Sequence, residues 1–101
     1  MHLIEILLPV ADNAGTPIAR ETYESVHSVL TGKFGGLTAF TRAPAQGVVK
    51  YGAEKVHDDI VVLEVMAQQL DRNWWREFRQ KLERDFAQDE IMIRATEVAR
   101  L

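Results

Sequence analysis

Apolar residues in this chain fall into two kinds of pattern. Residues 3–8 form a compact run of leucine and isoleucine broken only by Glu5, the signature of a buried strand. Residues 11–16 are a turn cluster of Ala, Asp, Asn, Gly and Thr. Thr16 followed by Pro17 predicts a helix start, with Thr16 as N-cap and Pro17 at the first helical position, where no amide hydrogen is needed. Ile18, Val26, Val29 and Leu30 then share a helical face, with Tyr23 at its edge, and Gly32 is the expected C-cap. Residues 37–42 predict a second strand and 43–47 an irregular connection. Pairing is expected to resume briefly over 48–51 before a turn at 52–55. Two courses stay open for 48–51: pairing with the third strand, or folding over the mouth of a pocket. Residues 59–67 are the most hydrophobic strand, with Glu64 as its one mid-strand charge. Asp71 or Asn73 caps the next helix, where Trp74, Phe78, Leu82 and Phe86 repeat every four residues with Trp75 beside them. Glu77 and Lys81 stand at the favourable i,i+4 spacing. A turn at 88–90 leads to the last strand, 91–98.

The order strand, helix, strand, strand, helix, strand predicts a ferredoxin-like α+β sandwich. It is a four-stranded antiparallel sheet with two helices on one face, formed by residues 1–101 as a single domain. The right-handed crossover rule places the first and third strands in the centre.

Alternation then sorts side chains between the faces. Ile4, Ile6, Leu8, Val61, Leu63, Val65, Ile91, Ile93, Ala95, Leu37 and Ala39 make an almost purely apolar face, assigned to the helices. The other face mixes Leu3, Glu5, Leu7, Ile60, Val62, Glu64, Met66, Met92, Arg94 and Thr96 with Thr38, Phe40 and Arg42. Across the expected strand order its charges read Arg94, Glu5, Glu64, Arg42, a workable cross-strand pattern. So apolar a surface should be covered, and apposition of two copies as an isologous dimer is the expected cover.

Composition removes several functions. The 101 residues are 47% hydrophobic and 27% charged, ordinary for a folded chain, but short enough that a second subunit would help bury surface. A net charge of −3 argues against nucleic acid and anionic membranes as partners. The absence of cysteine excludes thiolate catalysis, disulfides and iron–sulfur clusters, and fits a cytoplasmic setting. Nothing approaches a membrane span. The N-terminal apolar run lacks a basic leader, is interrupted by Glu5 and ends at Pro9, so a strand is preferred over a signal segment. No cofactor or metal site is expected.

Candidate chemistry centres on the mixed face. Arg42 and Arg94 suit a carboxylate or phosphate through bidentate guanidinium bonds, with simple pairing to Glu5 and Glu64 as the competing and favoured role. Glu5 and Glu64 are candidates for a general acid/base pair, against structural ion pairing as the favoured role. His57 with Asp59 is a further candidate base, against a turn and strand cap. Thr38, Phe40 and Tyr51 complete the candidate ligand-binding set. Tyr23 and Tyr51 are possible proton donors without an evident base. Trp74 and Trp75 read as core packing. The glycines at 32, 35 and 36 leave a helix rather than enter one, so they form a cap and strand entry, not a phosphate loop. An RNA-binding RRM shares the strand–helix order but needs exposed aromatics on its central strands, which this chain lacks.

The segment FGGLTAFTRAPA at residues 34–45, with Asp58, Asp59, Ile60, Val61 and Val62 and a closing Phe86, Glu90, Ile91, Ile93 and Arg94, resembles a small uncharacterised bacterial protein family of about this length. No activity is assigned to that family, so the resemblance transfers no catalytic residue. More broadly, the element order is similar to the dimeric α+β barrel superfamily. That group includes cofactor-independent monooxygenases, muconolactone-isomerase-like enzymes and heme-handling members. Three functional alternatives are expected. The first is a homodimeric binding or interaction protein for a small anionic or aromatic metabolite, with a pocket between the mixed face and residues 43–56 and Arg42 as its anion anchor. The others are a small cofactor-independent enzyme, an isomerase or monooxygenase, and a purely structural dimer module. No histidine is placed as a heme ligand.

Overall fold

The structure, a computed structural model, describes residues 1–40, 47–51, 54–58 and 60–101; side chains are described outside 40–59. Strand β1 (His2–Pro9) is followed by α1 (Arg20–Phe34), β2 (Thr38–Phe40), β3 (Gly47–Tyr51), β4 (Glu54–Asp58), β5 (Ile60–Ala67), α2 (Arg72–Asp85) and β6 (Met92–Glu97). Four strands form an antiparallel sheet in the order β2, β5, β1, β6, so the first and third strands of the expected fold are central. The ferredoxin-like α+β architecture is thus present, and both helices pack on one face.

Alternation explains the burial. Ile4, Ile6 and Leu8 on β1, and Leu63, Val65 and Ala67 on β5, point to the helices and are buried. They meet Val26 and Leu30 of α1 and Trp75, Phe78 and Leu82 of α2, with Phe86 and Ile91 closing the end. Phe34, Trp74, Trp75 and Phe78 stack or meet edge to face at 4.8–5.8 Å between ring centres. The tryptophans are core residues, as their spacing predicts. Trp75, not Trp74, is the more deeply buried of the pair, and Lys33 lies over the Trp74 ring at 4.7 Å.

The helix ends differ from expectation. Helix α1 begins three residues later than Thr16 and Pro17 predict, with Ala19 as its N-cap and no side-chain capping bond. Asp12 is the reason. Its carboxylate accepts from the amides of Ala14 and Thr16, both at 2.9 Å, and its own amide donates to the Thr16 carbonyl. The Ile18 amide donates to the Val10 carbonyl, and Ala11 bridges Pro17. The backbone here is committed to a return loop on β1 before a helix can start. At the other end Gly35, not Gly32, is the C-cap: it takes a left-handed φ of 78° and its amide donates to Thr31. Helix α2 follows its sequence signal, since the Asp71 carboxylate accepts from the Trp74 amide at 3.1 Å. Such a cap stabilises a helix by about 1 kcal/mol. The Glu77–Lys81 pair gives way to Arg79–Glu83 and Lys81–Asp85 along the same helix.

Two further departures concern the sheet. Residues 47–51 pair with 54–58 in a separate two-stranded sheet, neither joining β5 nor staying irregular. Ala39 and Ala95 occupy the helix-side register but are exposed, because the helices do not cover the β2 and β6 edges there. No helix among the described residues is long and apolar enough to cross a membrane.

Candidate functional site

The sheet face turned away from the helices is built in rows. Strand register places Thr96, Leu3 and Met66 in one row, Arg94, Glu5, Glu64 and Thr38 in the next, and Met92, Leu7, Val62 and Phe40 in the third. A charged row is therefore held between two rows that are mainly apolar. Leu3, Leu7, Val62 and Ile60 are half-buried, while Met66 and Met92 are 42% and 51% exposed.

The charged row is asymmetric. Arg94 Nε donates to Glu5 Oε1 at 3.0 Å. Glu5 and Glu64 are direct partners across the central strands, and Glu64 has no ion pair among the described residues. Like charges directly opposite destabilise a sheet by about 0.2–1 kcal/mol. Glu64→Gln is accordingly expected to raise stability by about 0.5 kcal/mol in urea unfolding. Glu5→Gln should be nearly neutral, because it relieves the same repulsion but gives up the Arg94 pair, worth about as much. A destabilised Glu64→Gln protein would mean that Glu64 has a favourable partner.

The expected candidates divide into three groups. The register brings together Glu5, Glu64, Arg94 and Thr38. Phe40 falls opposite Val62 in the next row, while Tyr51 ends β3 opposite Glu54, and His57 lies in β4 opposite Val48. Arg42 and Asp59 lie outside the described residues, as do 43–46 and 52–53 of the 43–56 connection that the expected pocket would use. The position opposite Glu64 belongs to Thr38, so the anticipated row of Arg94, Glu5, Glu64 and Arg42 has Thr38 in its fourth place. Tyr23 lies on the helix side. Its hydroxyl donates to the Pro9 carbonyl, its ring meets Phe86 edge to face at 5.4 Å, and burial raises its pKa. Those contacts make it a brace between α1, β1 and the end of α2. His2 Nδ1 is buried without a partner among the described residues. No three His, Asp or Glu residues among those described are grouped as a metal site.

A second concavity was not anticipated. An open groove of about 280 Å³ runs between α2 and the β6 edge, floored by Ile4, Leu70, Trp75, Ile93 and Ala95 and walled by Arg72, Arg76 and Arg79. The i, i+4, i+7 spacing of those arginines is visible in the sequence. What the sequence does not show is that Ala95 leaves the sheet edge uncovered beside them.

No family model and no curated protein matches the chain. Solved structures do. The divalent cation tolerance protein CutA1 from Thermus thermophilus aligns with a TM-score of 0.59 at 13% identity, over 99% of this chain and 86% of that one. A phage SAM lyase in complex with S-methyl-5'-thioadenosine aligns with a TM-score of 0.60 at 13% identity, over 95% of this chain and 80% of that one. At such identity the likeness is one of fold, and it places the chain among ferredoxin-like α+β proteins.

Proposed function

We propose that this chain is a small-molecule-binding protein acting as a homodimer joined through the outer face of its sheet. The observation that carries the reading is the charged row of Arg94, Glu5, Glu64 and Thr38 enclosed by two apolar rows. Apolar rows favour removal from water, and the charges between them orient whatever covers them. The ligand is a small anionic or aromatic metabolite held by Arg94 and Thr38, with Phe40 at the end of β2, Arg42 beyond it and Tyr51 at the end of β3 completing the site. The phage lyase is in keeping with this, since it holds a small molecule on the same architecture, although a shared fold does not by itself carry a function. On its 34–45 segment we place the chain in the small bacterial family it resembles, as a single cytoplasmic domain.

One observation favours a second reading. Glu5 and Glu64 are register partners across the central strands, a pairing of carboxylates that suits general acid/base proton transfer in a cofactor-independent isomerase or monooxygenase, with His57 as an alternative base. A dimer without a ligand is the third reading.

A thermal-shift screen of small aromatic and carboxylate metabolites separates the readings. A ligand at 100 times its Kd stabilises by about 2.7 kcal/mol. The expected result is a saturable rise in melting temperature for wild type that is sharply reduced in Arg94→Ala. A rise of equal size in Arg94→Ala contradicts the proposed site, and a flat screen over an intact dimer supports the structural module.

A further inference from the structure

We infer that the groove between α2 and β6 is a second binding site, separate from the outer face, for a small carboxylate with an apolar body. Its volume of about 280 Å³ falls just below the range of drug-sized ligand pockets, about 300 to 1,000 Å³, which suits a small ligand. The floor of Ile4, Leu70, Trp75, Ile93 and Ala95 suits a hydrocarbon or aromatic body, and its opening at the sheet edge admits one without rearrangement of the core.

The wall supplies the charge. Three other helix cations are neutralised one turn away: Arg20 by Glu24, Lys81 by Asp85 and Arg79 by Glu83. Arg72 and Arg76 have no acid partner among the described residues, and Asp71 beside them is engaged in capping the Trp74 amide. They also repel each other at i,i+4 spacing, a mild destabilisation of the helix. Arg72 lies in the first turn of α2, where the helix dipole disfavours positive charge and the N-cap Asp71 is the nearest acid, and Arg76 follows one turn on. An anion in the groove relieves all three conditions. Arg79 is fixed as the far end of the wall, because Glu83 holds its guanidinium at 3.0 Å while also accepting the Ile91 amide at 2.9 Å. Arg94 borders the groove from β6, but the bond from its Nε to Glu5 ties its guanidinium to the outer-face row. The free forks are therefore those of Arg72 and Arg76, whose planar geometry matches a carboxylate.

Phenylacetate is a suitable probe, with phenylacetamide as its neutral counterpart. Titration of the full chain by NMR is expected to show saturable shifts of the Trp75 indole and of the Ile93 and Ala95 methyls, with a Kd on the order of 1 mM. Phenylacetamide should bind at least about tenfold more weakly, and Arg72→Gln/Arg76→Gln should lose a similar factor for phenylacetate. Both arginines are exposed, so the variant should fold, and an unchanged amide spectrum outside the groove verifies that it does. Equal binding of acid and amide, full binding by the folded double variant, or no saturable shift overturns the inference. Shifts confined to Leu3, Leu7 and Thr96 overturn it too, and they would support the outer-face site instead.

Discussion

Phe86→Ala is expected to destabilise the protein by about 3–5 kcal/mol, a large share of the roughly 5–15 kcal/mol that holds a typical domain together. Phe86 is completely buried at the end of α2, where its amide donates to the Leu82 carbonyl. Its ring meets Tyr23 edge to face, and the Tyr23 hydroxyl reaches the Pro9 carbonyl at the end of β1. Truncation therefore leaves a cavity where both helices and the central strand converge. Little can collapse into it, since Leu8, Leu30 and Leu82 of the same core are themselves fully packed. Urea unfolding with and without the substitution measures the loss. A change below about 1 kcal/mol would mean that this end of the core is not packed as described.

If the proposed homodimer forms, Met92→Glu and Met66→Glu are expected to split it while leaving the fold intact. Both side chains lie in apolar rows of the outer face and are exposed in a single chain, so each substitution is tolerated by an isolated subunit. In an isologous pair each substitution occurs twice. Burying an unpaired carboxylate costs several kcal/mol, and that cost is met on both sides of the interface. Sedimentation velocity should show the variants as monomers with an unchanged circular dichroism spectrum. Dimers of wild-type stability would place the interface elsewhere.

Much of this fold was legible because the strong signals are local. The two central strands are apolar runs carrying one charge each, Glu5 and Glu64, and the four-residue stripe of α2 identifies its buried side from spacing alone. The parts that were not legible have particular causes. Thr16 and Pro17 have the chemistry of a helix start, but Asp12 binds the loop first through Ala14 and Thr16. Three nearby glycines qualify as a helix end, and only the backbone shows that Gly35 takes the left-handed conformation. Ala39 and Ala95 obey the alternation yet stay exposed, because alternation assigns a face and not whether a helix reaches it.

The candidate site follows the same division. The meeting of Glu5, Glu64 and Arg94 follows from alternation and strand order. Their direct opposition, and the place of Thr38 rather than Arg42 opposite Glu64, depend on a register that a three-residue strand such as β2 hardly specifies in its sequence. The groove was missed because exposed arginines at helical spacing look like an ordinary solvated face. Only the position of the β6 edge turns them into a wall.

The central claim is that a second copy covers the outer face of the sheet, and the solution mass tests it most directly. Light scattering on wild-type protein at micromolar concentration should give twice the 11.5 kDa mass of the chain. A mass equal to that of one chain, unchanged as concentration rises, would contradict it.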